Sequence, residues 1–357
     1  MDEIIKALYN ITITPKLTKQ ILDLIEDNNK INDDESFINN AISKYDPSNS
    51  KYTIAKQLLS NQIKYYELAS SENNTISPDI QNLGYNAILQ FIDTSIILDI
   101  FGTQPMSGPV GLIYHLQMKE SDDSSNSGAT RLSMEFISMA VEAISKKMQA
   151  SFSVELLQDL NAMHQPSLIN EVYNAANVQL ISELENYLIG ELLTVVETDY
   201  KFIDASVDQI LTAIMITANN IAKKSKRGVG NFAVISHELF ARFIGHPSFT
   251  ISEDGEYIRD EYLKKESNIV NGFCGSVGGV TNIIAYTNDS ILTNQILVGY
   301  KGSTTSDCGA YFAPYQYLMN GGAKLNETNM QPSMSFLSRF GLKIFEDTPK
   351  YYGLISL

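Results

Sequence analysis

Two cysteines and four histidines are the side chains in this sequence that could serve as nucleophiles, general bases or soft metal ligands. They are Cys274, Cys308, His115, His164, His237 and His246. Structural zinc sites draw their ligands from short, regular spacings, and these residues are too scattered for that. His237-Glu238 begins like the helical motif of zinc proteases, but that motif needs a second histidine where the chain has Ala241. The sequence therefore predicts no metal site.

Cysteine-dependent hydrolysis is the enzymatic alternative that these residues leave open. Cys274 or Cys308 could act as a nucleophile with a histidine that is distant in sequence and near in space. No local signature of a cysteine hydrolase surrounds either residue, and the many carboxylates form no pair that stands out from surface charge. We therefore predict no catalytic residue, no cofactor and no bound metal, and keep the hydrolase as the alternative from another class.

A basic cluster at residues 223–230 ends in the glycines Gly228 and Gly230. Such a cluster could bind phosphate through lysines and backbone N–H groups. However, it follows a predicted helix and precedes a predicted strand, which reverses the order found in phosphate-binding loops. Lysines complement the dipole at a helix C-terminus, and glycine commonly adopts the left-handed cap there. The pattern favours a helix end that is capped by Gly228.

The polar segment Ser303–Asp307 has two interpretations. It could be a ligand-binding loop, or it could be the turn that joins a strand at Ile296–Tyr300 to a strand at Ala310–Ala313. The flanking apolar runs and Gly302 favour the turn.

Composition and charge narrow the class of protein. The chain has 357 residues, 44% hydrophobic and 19% charged, which is typical of a folded protein with two or three subdomains. Its net charge of −15 makes it a poor candidate for binding nucleic acid, because such binding depends on Lys and Arg side chains that neutralise the phosphates. No apolar run reaches the roughly 18 residues of a membrane-spanning helix. The N-terminus lacks the basic segment of a signal peptide, so we expect synthesis in the cytosol.

The first half of the chain predicts short helices followed by a long β-ribbon. Helical apolar spacing occurs at Leu17–Ile25 and Tyr52–Leu68, with a turn signal at Asp46–Asn49 between them. Residues 85–101 read as an apolar helix or a pair of strands. Strand-like patterns at 110–118 and 134–154 enclose a polar tip, which predicts a two-stranded ribbon. A lone ribbon builds no core, so we expect it to lie on another chain.

The second half predicts a long helix and then mixed structure. Apolar residues recur on one helical face over Pro166–Val195, and Pro166 suits a helix start. The pattern then predicts a helix at 208–224, a strand at 232–236 and a short helix at 237–244. The β-rich remainder has turn signals at Gly278-Gly279, Asn288-Asp289, Gly302 and Gly321-Gly322. This order of elements predicts an α+β fold.

Four blocks of sequence resemble the major capsid proteins of T-even-like tailed bacteriophages. They are Q-P-M-S-G-P-V-G at 104–111, the stretch 141–160, R-G-V-G-N-F at 227–232, and V-G-Y-K-G at 298–302 with Asp307, Gly309, Tyr311, 313–315 and Gln331-Pro332. The blocks occur in the family's order across roughly residues 104–345. Each block is weak alone, whereas four in the same order are specific.

The resemblance implies the tailed-phage capsid fold of the Hong Kong 97 type. Residues 1–80 would then form an N-terminal arm with short helices. Residues 81–205 would form a peripheral (P) domain, which includes an extended E-loop at about 108–154 and a spine helix at about 166–195. Residues 206–330 would form an axial (A) domain, and residues 331–357 would return as strands of the P domain.

The resemblance also implies a structural function. The chain would self-assemble, as hexameric and pentameric capsomers, into the icosahedral head that encloses phage double-stranded DNA. It would be assembled in the host bacterial cytoplasm and reside in the virion, without specific DNA binding or membrane contact. Scaffold, portal, vertex and decoration proteins are further implied partners. The related vertex (pentamer) protein is the alternative within this class, and a bacterial encapsulin-like shell is a more distant one.

The chain departs from that family in two regions. T-even members carry an extra domain near the E-loop tip, where this chain has only the short polar segment Lys119–Ser133. Residues 1–80 match none of the family's blocks. Contacts that the extra domain makes in the family are therefore not expected here.

Overall fold

A computed structural model of the chain describes residues 37–71, 78–122, 130–151, 168–202, 205–243, 246, 249–250, 272–277, 283–288, 291, 294–325 and 332–357. The helix predicted at Leu17–Ile25 and the turn predicted at Gly278-Gly279 lie outside these residues. The chain divides into two units, Met1–Tyr52 and Thr53–Leu357.

The described helices are α1 (Ser50–Ser71), α2 (Pro78–Thr94), α3 (Ile97–Ile100), α4 (Leu168–Val195), α5 (Val207–Ser225) and α6 (His237–Phe243). The described strands are β1 (Gly102–Thr103), β2 (Val110–Asp122), β3 (Thr130–Glu142), β4 (Ile144–Ser151), β5 (Thr198–Lys201), β6 (Phe232–Ile235), β7 (Phe249–Thr250), β8 (Gly272–Val277), β9 (Ile283–Thr287), β10 (Gln295–Gly299), β11 (Ala310–Leu325), β12 (Pro332–Ile344) and β13 (Tyr352–Ser356). The fold class is α+β, as predicted.

In the first unit, a turn precedes the start of α1. Asp46 Oδ1 accepts hydrogen bonds from the backbone N–H and the hydroxyl of Ser48, at 2.9 and 2.8 Å. These bonds lower the pKa of Asp46, because they favour the charged carboxylate. Asn49 Oδ1 accepts the N–H of Lys51 at 3.0 Å, which satisfies a backbone donor at the beginning of the helix. The turn predicted at Asp46–Asn49 is confirmed.

From Thr53 onward, α1 belongs to the second unit and packs beside β11. Ile54 and Leu58 are buried, and the Asn61 amide donates to the carbonyls of Met106 and Tyr315 at 2.8 and 2.6 Å. α1, the second helix predicted within the arm of residues 1–80, therefore buries apolar side chains within its own chain. The division between the two units falls at Tyr52.

The long helix α4 packs against α2 and the four-stranded sheet through a buried polar bridge. Asn177 donates from Nδ2 to Gln90 Oε1 at 2.7 Å and accepts the Tyr317 hydroxyl at 2.7 Å. Glu185 Oε1 accepts the Ser95 hydroxyl at 3.0 Å. The structure confirms the predicted long helix over its described part, and it resolves the helix-or-strands alternative for 85–101 as helix. Among the described residues, no helix combines the length and apolar character needed to cross a membrane.

The four-stranded sheet has the order β1-β11-β12-β4. β1 pairs with β11 in parallel, and the other pairs are antiparallel. Aromatic rings fill its interface with the helices: Phe91 of α2 stacks on Tyr317 at 4.5 Å, and Tyr173 of α4 meets Phe336 edge-on at 5.4 Å. This packing places α2 and α4 on one face of the sheet.

A separate two-stranded sheet, here called the ribbon, consists of β2 and β3. Its register runs from Val110↔Glu142 to Asp122↔Thr130. The prediction that the ribbon continues to residue 154 is wrong for residues 144–151, because β4 pairs with β12 instead, and residues 152–154 lie outside the described residues. Ala143 separates the two pairings, and its N–H donates to the Pro109 carbonyl at 2.8 Å, which closes the base of the ribbon.

The turn predicted at Gly321-Gly322 is also wrong. β11 runs through both glycines to Leu325, and its register with β12 shifts between Asn320 and Ala323. Glycine inside a strand often marks a bulge, and here the register shifts at the two glycines while the strand continues.

The seven-stranded sheet has the order β5-β13-β10-β6-β9-β8-β7. Its buried core joins α5 and α6 to the central strands, for example through Ile214, Leu239 and Val298. α5, β6 and α6 occupy the positions predicted from the sequence.

Sheet membership does not follow the predicted boundaries at residues 205 and 330. β5 and β13 both belong to the seven-stranded sheet, whereas β11 belongs to the four-stranded sheet. β13 is buried along nearly its whole length and pairs on both sides, with β10 and β5. Burial of this kind is typical of an interior strand. β13 therefore belongs to the interior of the seven-stranded sheet and not to the four-stranded sheet.

Candidate functional site at the base of the ribbon

The segment 300–309 connects the two larger sheets, and side chains from distant parts of the chain meet around it. We call this region the junction: residues 300–309 with Gln104, His115, Arg227, Asn231, Asp347 and Tyr351. Lys301 and Cys308 form an isolated antiparallel bridge, and the Gly302 N–H donates to the Asp307 carbonyl at 2.8 Å. The turn predicted at Ser303–Asp307 is confirmed, although the strands that it joins, β10 and β11, enter different sheets.

Asn231 fixes the first end of this turn. Its Nδ2 donates to the Lys301 carbonyl at 2.8 Å, and its Oδ1 accepts the Lys301 N–H at 3.1 Å. The Lys301 ammonium in turn donates to the Leu98 carbonyl at the short helix α3. One carboxamide thus satisfies both the N–H and the C=O of Lys301, which lies beyond the last residue of β10.

Arg227 fixes the second end of the turn. Its Nε donates to Asp307 Oδ1 at 2.9 Å, and both side chains are 12% exposed. The hydrogen bond to Asp307 raises the pKa of Arg227, so the guanidinium keeps its positive charge beside the Asp307 side chain. This contact links the end of α5 to the turn between the sheets.

The expected role of Gly228 as a left-handed helix cap is wrong. Lys226 is the residue that caps α5 in the left-handed region, with φ 57°, and its N–H donates to Ala222. Gly228 serves a packing function instead, because a Cβ there would lie 2.4 Å from Cε2 of Tyr300. The basic cluster is a helix end, as the sequence indicated, with Lys224 paired to Asp199 at 2.9 Å.

Gln104 attaches the ribbon to the junction. Its Nε2 donates to the carbonyls of Tyr114 and Thr305, at 2.8 and 3.1 Å, and its Oε1 accepts the Tyr114 N–H at 3.0 Å. The neighbouring Leu116 N–H donates to the Ser306 carbonyl at 3.1 Å. The first strand of the ribbon is therefore held by both a side chain and the turn.

His115 lies between two polar partners in a fully buried position. Its Nδ1 is 2.9 Å from the Tyr311 hydroxyl, and its Nε2 is 2.9 Å from Asp347 Oδ2. The imidazole stacks on Phe345 at 4.4 Å, and Tyr311 and Tyr351 meet it edge-on. Burial raises the pKa of both tyrosines, so their hydroxyls stay protonated and serve as neutral partners.

Cys308 is fully buried at the junction and has structural partners. Its N–H donates to the Tyr311 hydroxyl at 3.3 Å, and its Sγ contacts the Ile100 carbonyl and the Tyr352 hydroxyl at 3.6 and 3.4 Å. Since both ring nitrogens of His115 are engaged elsewhere, this histidine does not pair with the thiol.

The remaining candidates from the sequence are not brought to the junction. Cys274 belongs to β8, and its side chain and all of His164 lie outside the described residues. His237 begins α6, and His246 pairs with the exposed Asp208 at 2.9 Å. Within the described part of the chain, no group of His, Cys, Asp and Glu side chains is placed to hold a metal ion.

The ribbon has one face toward its own chain and one apolar face toward solvent. Ile113, His115 and Val141 are buried on the inner face. The outer-face residues alternate with them. The exposed apolar members are Val110 (59%), Leu112 (58%), Tyr114 (49%), Met134 (58%) and Phe136 (68%). We call these five residues the outer face.

Sequence reasoning named His115 only as a candidate nucleophile, base or metal ligand and Gln104 only as part of a block, and it missed Asp347. It did not say which ribbon face is exposed. The alternation along 110–115 shows which residues share a face, but it would have placed the apolar set Val110, Leu112 and Tyr114 inward, whereas these three side chains are exposed. Gln104 stands in one of the four blocks, whereas nothing in the sequence marks Asp347.

The fold and the junction define an α+β protein in which an apolar two-stranded ribbon is anchored where two sheets meet. The chain belongs to the family described as major capsid protein Gp23, whose profile matches residues 118–353. Membership confirms the resemblance that the four sequence blocks indicated.

Similar proteins carry the same description. The major capsid protein of Vibrio phage KVP40 is 25% identical over 248 residues, covering 62% of this chain and 47% of that protein. The major capsid protein of Enterobacteria phage T4 is 25% identical over 231 residues, covering 57% of this chain and 43% of that protein. This chain thus spans about half the length of the curated relatives it matches.

A solved structure from Mycobacterium phage Bobi aligns with 74% of this chain and 90% of its own, at 13% identity and a TM-score of 0.48. A likeness at this level adds nothing to the family assignment.

Proposed function

We propose that this chain is a major capsid protein, which assembles with copies of itself into the icosahedral head that encloses phage double-stranded DNA. Membership of the Gp23 family supports this function. The single structural observation that carries it is the outer face of the ribbon, where five large apolar side chains are each about half exposed or more.

An exposed apolar ribbon needs a partner. A two-stranded sheet is marginally stable alone, and contiguous apolar surface usually marks an interaction site. Fully burying one large apolar side chain contributes about 1.5–3 kcal/mol. Because the outer-face side chains are already partly covered, docking all five would contribute on the order of 5 kcal/mol before the costs of association. A second copy of the chain is the partner that the capsid family implies.

A modest contact can stabilise a shell when every copy of the chain makes it. Each copy would offer its ribbon to one neighbour and receive the ribbon of another, which is a heterologous contact that closes into rings. Many contacts made at once raise the stability of the assembly far beyond that of one contact. Hexameric and pentameric capsomers are the rings that we propose.

We assign the domains of the Hong Kong 97-type fold as follows. The ribbon is the E-loop, and α4 is the spine helix. The four-stranded sheet with α2 and α4 is the P domain, and the seven-stranded sheet with α5 and α6 is the A domain. The sheet order supports moving the A-domain limit from residue 330 to the junction and including β5 and β13 in the A domain.

The remaining proposals concern cargo, partners and location. A net charge of −15 suits a wall that encloses DNA without binding it specifically. We propose residence in the virion, assembly in the host bacterial cytoplasm, and a non-enzymatic role. Scaffold, portal, vertex and decoration proteins are additional proposed partners.

Assembly of the purified full-length chain tests the proposal. Negative-stain microscopy and sedimentation should show rings or shells for the unmodified chain. A double variant, Leu112→Ser with Phe136→Ser, should sediment as a folded monomer with an unchanged thermal midpoint. Ile216→Ser, on α5 and 41% exposed, removes a comparable apolar side chain away from the ribbon and should still assemble. Assembly of the double variant equal to that of the control would overturn the proposal.

The vertex protein is the second candidate from the same class. Quantifying the chain in purified virions separates the two, because a major capsid protein is the abundant band and a vertex protein is a minor one.

A further inference from the structure

We propose that the four-stranded sheet makes a second contact between copies of the chain, in which Lys147 and Arg339 bind carboxylates of a neighbouring copy. The inference deepens the proposed function and rests on it in one respect, that the chain assembles with itself. The surface concerned is separate from the outer face of the ribbon and has the opposite character, since it is cationic and polar rather than apolar.

The two faces of the four-stranded sheet differ in what lies against them. On one face, Phe340 of β12 meets Tyr187 of α4 edge-on at 5.9 Å, and Lys146 of β4 lies 5.1 Å over the same ring. Neighbouring residues of a strand point to opposite sides of the sheet, so the alternate residues of β12 and β4 face away from α4. We call these alternate residues the open face: Ser145, Lys147, Gln149, Ser335, Leu337 and Arg339. The three that β4 contributes are all exposed.

The strand register brings the two cations of the open face together. Arg339 is opposite Ser145, and Leu337 is opposite Lys147, so Lys147 and Arg339 are diagonal neighbours on adjacent strands. Diagonal positions are about 7–8 Å apart, which long side chains can span. Like charges at this spacing repel each other, and an anion bound between them would remove that cost.

In the part of the chain that the structure describes, neither cation is paired with a carboxylate. Arg339 lies instead over the ring of Tyr315 on β11, with Cζ 5.3 Å from the ring centroid. A guanidinium in this position keeps its in-plane N–H groups available for a carboxylate. Tyr315 thus holds Arg339 in place for a partner, and the exposed Lys147 adds a second positive charge beside it.

The strands that form this sheet region contain no acidic residue. β4, β11 and β12 together have five lysines and arginines and no Asp or Glu. The chain as a whole has 41 Asp and Glu residues and a net charge of −15. A second copy therefore offers a surface of complementary charge. Contact with the open face would offset the repulsion between two copies that both carry this net charge.

The open face is continuous with the base of the ribbon. A Cβ added at Gly341 would lie 2.8 Å from Cγ1 of Val141, so the inner face of the ribbon rests on β12 two residues beyond Arg339. The ribbon therefore leaves the sheet on the side of the open face. A neighbouring copy that receives the ribbon would lie close to Lys147 and Arg339.

Duplex DNA is the occupant that the arrangement favours less. Tight binding of DNA neutralises many phosphates, whereas the open face presents two cations side by side. One carboxylate or a short acidic segment needs only such a pair, because Arg can bind a carboxylate through two parallel hydrogen bonds. The negative charge of the rest of the chain would also repel DNA.

Zero-length cross-linking of assembled particles tests the contact. Particles would be assembled from equal amounts of isotope-labelled and unlabelled full-length chain and treated with a water-soluble carbodiimide, which joins an amine to a carboxylate in direct contact with it. We expect Lys147 in cross-linked peptides that carry one labelled and one unlabelled half, because these arise only between copies. Particles without such a cross-link at Lys147 would overturn the proposal. Shielding of Lys147 from acetylation only in DNA-filled virions would assign the open face to DNA and would also overturn it.

Lys147→Gln and Lys146→Gln form a matched pair of variants. The two lysines are adjacent on β4 and lose the same charge, but Lys146 lies on the α4 side of the sheet. We expect Lys147→Gln to raise the chain concentration needed for assembly about fivefold, and Lys146→Gln to change it less than about twofold. The thermal midpoints of both unassembled variants show whether each is folded. An equal change in the two variants contradicts the contact.

Failure of this contact is distinguishable from failure of the proposed function. Shells that form from Lys147→Gln at the concentration needed by Lys146→Gln would overturn the contact and leave the capsid function standing. An unmodified chain that stays monomeric at every concentration would overturn both.

Discussion

Arg227 Nε donates to Asp307 Oδ1 at 2.9 Å and joins the end of α5 to the turn between the two larger sheets. The two residues are 80 positions apart and both are largely shielded from water. Such a pair is a poor source of net stability compared with apolar packing, yet removing one partner leaves a buried charge uncompensated. The pair therefore fixes how the turn sits against α5.

Replacing Arg227 should loosen the junction more than replacing an exposed cation. Arg227→Met should lower the free energy of unfolding by about 2 kcal/mol, because Asp307 loses its charged partner. Lys223→Met is the control: Lys223 is an exposed cation in the last turn of the same helix. That change should cost less than about 1 kcal/mol. Equal losses in chemical denaturation would contradict the assigned role of Arg227.

A methyl group at Gly228 should disturb the packing of Tyr300. The added Cβ would lie 2.4 Å from ring atom Cε2, so the ring or the backbone must move. Gly228→Ala should therefore lower the free energy of unfolding by about 1–3 kcal/mol. Gly190→Ala, on α4 with nothing within 4 Å of the added carbon, should instead stabilise the chain by about 0.5–1 kcal/mol. Thermal unfolding of both variants checks the opposite signs.

Removing the Gln104 carboxamide should weaken the attachment of the ribbon and leave the two larger sheets folded. Gln104→Leu keeps the size of the side chain but leaves the Tyr114 N–H and carbonyl without their partner. We expect hydrogen exchange at residues 110–117 to speed up about tenfold or more, while the core of the seven-stranded sheet keeps its protection. Gln149→Leu, on the exposed strand β4, is the control. Unchanged exchange in Gln104→Leu would mean that the turn alone holds the ribbon.

Cys308 should prove structural rather than reactive. The native thiol should resist a water-soluble disulfide reagent and react only after denaturation, because the residue is fully buried. Cys308→Ala should cost about 1–2 kcal/mol of stability and leave assembly intact. Replacing both Cys274 and Cys308 by alanine extends the test to the hydrolase alternative. Loss of a hydrolytic activity in that double variant, with assembly unaffected, would revive the enzymatic interpretation.

Local patterns predicted the elements, whereas long-range pairing decided how they connect. The helical spacing at 208–224 and the strand-like pattern at 110–118 depend on neighbouring residues, and both predictions are confirmed. The strand at 144–151 has the same alternating character as β3, so its sequence does not reveal that β12, and not β2, is its partner. A strand's partner depends on the packing of the whole sheet.

The junction was beyond sequence reasoning for a similar reason. His115 and Asp347 lie 232 residues apart, and their contact requires the register of the ribbon and the path of the chain before β13 to be known together. Gln104 and Asn231 stand in recognisable blocks, but the peptides that they pair with are set by tertiary structure. Residue type suggested polar contacts at these positions and could not name the partners.

The central claim is that the outer face of the ribbon docks on a second copy of the chain. Cryo-electron microscopy of the assembled particle measures this directly. The account predicts side-chain atoms of Leu112 and Phe136 within about 4.5 Å of apolar atoms of a neighbouring copy. A particle in which these side chains face solvent, or fold back onto their own chain, would contradict it.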